Sequence, residues 1–342
     1  IIPVEVDGTV SGAITRGHRV FGSDEVRLST PADYLPLLRE NYVIADHQER
    51  RQLIAEKVGK ATGDVGGRPR LHEELLNEVT FLVEYPTPVV GSFDKRFLQL
   101  PETVVVKVLE GHQRFFAVEA PSGRLLPCFV GVRNGTDEGL EQVRRGYEWV
   151  VEPRLEDAEF YLTEDLKTPF AERVEQLKRV TFLAGAGSLY DKTMRLVGLV
   201  EWLSERVAAS PEVAATARRA AELCKCDLTT MMIGDTKLSE LQGVIGGEYA
   251  RRSGEPEDVA TAIAEHYKPR GAGDELPASL PGQLLATADR LDNLVSCFAL
   301  GLRPSGSQDP YALRRQMQAL ILIAVASGLR YNLRDALSHV YS

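Results

Sequence analysis

The chain has no apolar run long enough to cross a membrane: the longest, Ala319 to Ala326, falls far short of the roughly 20 residues such a helix needs. Cysteine is scarce, with four residues too scattered for a disulfide framework, a pattern that fits a reducing compartment. Cys224 and Cys226 form the one close pair. Two positions apart on a helix they point in different directions, so they read as buried structural thiols and not as metal ligands. An excess of positive charge is also missing. With 40 Lys+Arg against 49 Asp+Glu the balance is −9, which excludes a polyanion binder that is basic over its whole surface. Any contact with nucleic acid must be local. The N-terminus lacks an initiator Met, a basic start and a signal-type stretch, so no targeting segment is visible and the chain is expected to begin inside a longer protein. Among catalytic signatures, no Gly-rich loop followed by Lys-Ser/Thr, no Gly-x-Ser-x-Gly turn and no His-Glu-x-x-His helix occurs.

What is present belongs to an ordinary globular chain of two-domain length, with 44% hydrophobic and 26% charged among 342 residues. The first half mixes periods. The β-branched run Val104 to Leu109, then Phe115 to Val118, a Pro121-Ser122-Gly123 turn and Leu125 to Val132 predict a small antiparallel meander. Helical stretches at Ala32–Arg39, Asp46–Val58 and Leu71–Val79 surround it, so the region is α+β, with helices covering one side of the sheet. From about Glu138 the strand signal vanishes and a helical domain follows. Leu189, Leu196, Val197, Val200, Leu203 and Val207 form an amphipathic stripe with charges opposite. Gly254-Glu255-Pro256 opens another helix. Asp309-Pro310 predicts a capped helix from there to about Ser327, stopped by Gly328. Gly243, Gly246 and Gly247 follow a helical pattern, which removes a phosphate-cradle reading and favours close helix packing.

Four polar groupings are candidates for chemistry. Arg16, His18 and Arg19, in the Gly-punctuated loop Thr15–Arg19, either contact phosphate or are simply solvated. Glu110 to Phe116 sits between two expected strands, where a bend at Gly111 presents His112, Gln113 and Arg114 beside aromatics. That suits stacking and hydrogen bonding to a base or ribose, or else makes an exposed polar tip over a core. Asp289 and Asp292 share a helix face and, with His266, either hold a divalent cation or pair with Arg290 or a neighbouring helix. Arg314 and Arg315 begin the last long helix, in a segment (301–342) with five arginines against two aspartates.

Eleven segments in order, among them Thr15–Arg19, Val43–Asp46, Glu78–Pro101, Gly111–Phe116, Asp157–Leu166, Cys224–Gly234, Glu240–Ala250, Ala288–Leu294 and Ser305–Arg315, resemble the β subunit of the bacterial heterotetrameric glycyl-tRNA synthetase. The resemblance implies a cytoplasmic α2β2 ligase, in which the α chain makes glycyl-adenylate with ATP and magnesium and β engages tRNA(Gly). This chain would then hold no catalytic residue and no cofactor of its own. It further implies residues 1–180 as an α+β module similar to one in the phenylalanyl-tRNA synthetase β chain, residues 181–342 as an HD-like helical domain, and the absence of the C-terminal anticodon-binding domain. Two departures stand out. No His-Asp dipeptide occurs, Tyr267 following His266, so the alternative of a metal-dependent HD-type nucleotide phosphohydrolase is weakened, and Gly234 to Glu240 makes a longer loop than the family pattern.

Overall fold

The computed structural model describes every residue except Ile1, Pro3, Ser307 and Ser342. Ser307, within the Ser305–Arg315 segment, thus lies outside the described residues. The chain divides into two compact units, Ile1–Glu159 and Phe160–Ser342. The first contains the hairpins β1 (Glu5–Val6) with β2 (Thr9–Val10) and β3 (Ile14–Thr15) with β4 (Val26–Arg27), and helices α1 (Tyr34–Glu40), α2 (His47–Gly63), α3 (Glu73–Leu82) and α4 (Glu102–Lys107). Its centre is an antiparallel sheet of β5 (Arg68–Pro69), β6 (Pro86–Ser92), β7 (Phe116–Glu119) and β8 (Leu125–Asn134), in the order β5-β7-β8-β6. Helix α5 (Leu140–Asp165) contains the division between the units.

Strand alternation sorts the sheet's two faces. Phe116, Val118 and Val130 meet Ile54 and Val58 of α2 and Leu75, Leu76 and Val79 of α3 in one core. On the other face Phe129 stacks on Phe115, ring centroids 4.8 Å apart, and Tyr147 of α5 lies 4.6 Å from Phe115. Helices therefore pack on both faces, not on one, because the start of α5 returns across the sheet; Glu148 accepts the Ser92 backbone N–H at 2.9 Å. Pro86 and Pro88 fall on the edge strand β6, where their missing N–H groups interrupt no inner ladder.

The run Val104 to Leu109 corrects the sequence expectation. It is helix α4 and the first residues of a π-helical turn, Val108–His112, and not a strand. Val104, Val105, Val108 and Leu109 recur at helical spacing and are all buried, so packing of one helical face outweighs β-branched preference. Leu125–Asn134 and Phe116–Glu119 do pair antiparallel, as expected.

The second unit is helical, apart from the short hairpin β9 (Thr181–Leu183) with β10 (Gly187–Ser188), which the sequence had not signalled. After α6 (Arg173–Gln176) come α7 (Leu189–Arg206), α8 (Pro211–Leu223), α9 (Met231–Gly234), α10 (Val244–Arg252), α11 (Glu257–Glu265), α12 (Leu280–Ala299), α13 (Leu313–Ser327) and α14 (Leu333–Tyr341). Helix α12 is central, with α7, α8, α11, α13 and α14 packed round it. Ser188 caps α7 by accepting the Asp191 N–H, and α7 buries the expected Leu189, Leu196, Val200 and Leu203. Helix α13 starts at Leu313, later than Pro310. Asp309 still supplies the cap, its carboxylate accepting the Leu313 and Arg314 N–H groups, and Gly328 closes the helix in the left-handed region. A Cβ on Gly247 would lie 2.5 Å from the Ala260 carbonyl oxygen, which confirms close packing of α10 on α11.

The division falls after Glu159, earlier than the 180/181 boundary that the resemblance implies, and Asp165 supplies the reason. Its buried carboxylate accepts the Met231 and Met232 N–H groups and the Tyr249 hydroxyl, and it pairs with Arg173, which ties this stretch to the helical unit.

Gly131 in β8 faces the rings of Tyr147 and Phe115, and a Cβ there would sit 2.6 and 2.8 Å from them. Gly131→Ala is expected to destabilise the chain by about 1–3 kcal/mol through overpacking. A urea midpoint equal to that of the parent chain would contradict this close approach.

Candidate nucleic-acid interface

In the first unit the loop Thr15–Arg19 presents two arginines and hides its histidine. His18 is buried, and its Nδ1 accepts the Val20 and Phe21 N–H groups at 3.2 and 3.3 Å, so the ring shapes the turn from inside. Because Nδ1 accepts, the ring proton sits on Nε2, which is buried without a hydrogen-bond partner among the described residues. Arg16 and Arg19 are exposed, and their side chains take no hydrogen bond or ion pair among the described residues.

His112, Gln113 and Arg114 stand together, but at the end of a π-helical turn and not between two strands, since the preceding segment is helical. Arg114 holds a left-handed backbone conformation (φ 59°) and donates to Glu78 at 2.5 Å and to the Gly111 carbonyl. Gln113 and Arg114 line a cavity of 320 Å³ together with Leu82, Tyr147 and Val150. Phe115 and Phe116 are buried, so the aromatics of this segment are core; Gln113 and Arg114 rim a small depression, while both ring nitrogens of His112 are buried. Burial also holds the Glu110 carboxyl above its ordinary range, with His72 and Arg70 working against it.

The second unit brings His266, Asp289 and Asp292 together, around lysines. Lys192 of α7 lies 3.0 Å from Asp289 and 2.9 Å from Asp292, and it donates to Asn293 at 2.8 Å. Lys225, at the end of α8, lies 3.0 Å from the same Asp289 oxygen and 3.0 Å from the Tyr267 hydroxyl. Arg195 adds a two-pronged pair on Asp292, at 2.5 and 3.2 Å. The shared helix face expected for Asp289 and Asp292 is real, and an ammonium group sits where both point. His266 Nδ1 donates to the Ile263 carbonyl at 2.6 Å. Burial and the Lys225 charge hold its pKa well below the ordinary range, so the ring is neutral and Nε2 accepts from Lys225 at 2.9 Å. Burial opposes ionisation of Asp289 as well, but the two ammonium groups override it and keep the carboxylate charged. Asp289 Oδ1, both Asp292 carboxylate oxygens and His266 Nε2 each already have a lysine or arginine against them. Among the described residues no group of three His, Cys, Asp or Glu side chains is placed to hold a metal.

Beside this cluster opens a cleft of 720 Å³, with Tyr267, Asp289 and Arg290 on its inner side and Arg270 and Arg315 among its cations. Arg315 is exposed and takes no hydrogen bond or ion pair among the described residues, whereas Arg314 donates to the Gly306 carbonyl at 2.7 Å. Sequence reading missed Lys192, Lys225, Arg195 and Arg270. Lys192 did carry a signal: it lies three after Leu189 and four before Leu196, on the apolar stripe itself. Lys225 lies between Cys224 and Cys226, and both thiols are buried as expected, Cys224 being pushed up to about 12 by that burial.

No helix among the described residues is long and apolar enough to cross a membrane. The family model described as "Glycyl-tRNA synthetase beta subunit" matches residues 1–342. The glycine–tRNA ligase beta subunit of Desulfitobacterium hafniense (strain DSM 10664 / DCB-2) is 42% identical over 341 residues, covering 100% of this chain and 49% of its own length. That of Moorella thermoacetica is 43% identical over 341 residues, with coverages of 100% and 49%. That of Myxococcus xanthus is 44% identical over 336 residues, with coverages of 98% and 47%. The chain thus spans about half the length of the curated relatives it matches.

Asp289→Ala is expected to leave the buried Lys225 ammonium without a carboxylate and Lys192 with Asp292 alone, and to cost about 3–5 kcal/mol, read as a lowered urea midpoint. Asp227 provides a pH test. Burial pushes its carboxyl up to about 6 from an ordinary 3.8, against the Gly243 N–H, which donates to it at 2.5 Å. The folded chain therefore keeps a proton that the unfolded chain releases. The stability this proton contributes is full below the unfolded value and is lost as pH rises through about 6. Relative to Asp227→Asn, the parent should lose up to about 3 kcal/mol between pH 4 and 7; a constant difference would refute the raised value.

Proposed function

The chain belongs to the glycyl-tRNA synthetase beta subunit family, and on that premise we propose that it serves a glycine–tRNA ligase as its tRNA-engaging, partner-binding β chain. The observation that carries this reading is the family match along the whole chain. In the proposed enzyme, an α2β2 assembly in the cytoplasm, the α chain holds ATP and magnesium and forms glycyl-adenylate. The β chain positions tRNA(Gly) so that its end meets the activated glycine. Holding two reactants in register supplies rate by proximity, without a bond-making residue in this chain. The first unit stands as the module similar to that of the phenylalanyl-tRNA synthetase β chain and the second as the HD-like helical domain. The latter serves as scaffold in this reading, because its acidic residues hold lysines.

The geometry supports a ranking of the cationic candidates. Arg16, Arg19 and Arg315 have guanidinium groups uncommitted among the described residues, whereas Arg114 is tied to Glu78 and Arg314 to Gly306. The first three supply contacts to phosphate. His18 acts only through the shape of its loop, Gln113 suits contact with a base edge at the rim of the depression, and His112, whose two ring nitrogens are buried, acts only on the shape of that segment.

Two measurements test the proposal. The chain alone is expected to catalyse no glycine-dependent ATP–pyrophosphate exchange, and robust exchange would overturn the division of labour. Replacing Arg16, Arg19 and Arg315 with Ala should weaken tRNA binding, each true phosphate contact lowering the salt-dependence slope by roughly one unit. Arg114→Ala and Arg314→Ala should act less. Unchanged affinity and slope across the set would refute the assignment of these residues.

A further inference from the structure

The cleft beside the lysine-filled cluster has two chemically different walls. One is apolar, made by Ala319, Ile321 and Leu322 of α13, and the last two are about half exposed although they are large aliphatic residues. The other lining groups include planar and cationic ones. The Arg270 guanidinium carbon lies 5.5 Å from the centroid of the Tyr267 ring, and Arg290 lies next to it. Arg270 and Arg290 hold fixed positions. The first donates to the Glu240 and Gln242 carbonyls, and the second to the carbonyls of Ala286 and of residues 266–269. Arg315, at the rim, has its donors free among the described residues.

Among the described residues Asp289 is the one carboxylate lining the cleft, and both of its neighbouring ammonium groups neutralise it. An anion entering here meets no uncompensated negative charge from the lining. The cleft measures 720 Å³, too large for a bare phosphate and within the range of small-molecule sites. Amide side chains of Gln242 and Asn293 add donors and acceptors. An apolar slab, a planar cationic face, scattered amides and one free guanidinium match the parts of a nucleotide: base, sugar and phosphate.

We infer that this cleft binds one nucleoside 5′-monophosphate unit, with its base against the α13 wall and its phosphate on Arg315. The unit comes either from a free nucleotide or from an unpaired nucleotide of an RNA. The inference does not depend on the tRNA-binding proposal, since a free nucleotide meets the same requirements.

The test uses fluorescence anisotropy on the full 342-residue chain, with two probes: N-methylanthraniloyl-AMP and a fluorescein-labelled single-stranded RNA tetramer. Saturable binding of at least one probe is expected. Arg315→Ala should weaken it about tenfold and Arg315→Lys should restore most of it. Gln318→Trp, on the exposed lip of the cleft, should block it, and Arg330→Ala, at an exposed position outside the cleft lining, should leave it unchanged. Arg315 and Gln318 are exposed, so these variants are expected to fold, which thermal melting verifies. Binding of the mononucleotide alone identifies a free nucleotide as the source, and tighter binding of the tetramer identifies RNA. Absence of saturable binding by either probe, or binding indifferent to both Arg315→Ala and Gln318→Trp, overturns the inference. Intact tRNA binding alongside that result leaves the tRNA proposal standing. Conversely, mononucleotide binding without tRNA binding refutes the tRNA proposal alone.

Discussion

The helical unit depends on the sharing of one buried carboxylate between two buried lysines. Asp289 lies on α12, Lys192 on α7 and Lys225 at the end of α8, so a single oxygen ties together three segments far apart in sequence. The charges must be settled together. Desolvating any one of them unpaired would cost several kcal/mol, and their mutual attraction in a low-dielectric interior offsets that cost only when all are in place. Lys225 extends the arrangement to His266 and the Tyr267 hydroxyl, and Asp292 extends it to Arg195. The arrangement fixes how α12 is turned against its neighbours, which apolar contacts alone would leave less sharply defined. It also leaves the adjacent cleft with a positive wall.

The first unit builds the core between its sheet and α2 and α3 from apolar residues. Its sheet sorts aliphatic residues to one face and an aromatic pair to the other, with Gly131 making room for the rings of Tyr147 and Phe115. The polar residues of Gly111–Phe116 then emerge at the edge of a packed aromatic layer. The half-buried position of Gln113 and Arg114 is a by-product of where Phe115 and Phe116 must go.

Much of this organisation was legible in the residues, and the exceptions share a physical cause. Helical patterning located α2 and α3, an amphipathic stripe located α7 and cap chemistry located the end of α13, because those signals are local. Val104 to Leu109 misled because β-branched residues suit a strand by preference and a helix by burial, and burial wins only once the partners are known. Strand β6 went unrecognised because its two prolines argue for a break until an edge position is known. The acidic residues of the helical unit were correctly grouped, but what fills the space between them was not read. A lysine on an apolar stripe looks like a solvated charge until the opposing aspartates, about a hundred positions away, are brought to it. Family resemblance located the chain as a whole and said nothing of this replacement.

Arg290 binds the segment after α11 through its backbone, donating to the carbonyls of residues 266, 267, 268 and 269. Carbonyl oxygens are common to every amino acid, so the clamp is blind to side-chain identity. The shape of that stretch is therefore inherited from one arginine on α12. The side chain of Lys268, paired among the described residues with the exposed Glu275 alone, is free to change over evolutionary time without moving the wall behind it. Arg290 itself has no such latitude, since a lysine in its place would bring three donors to a site that uses five contacts.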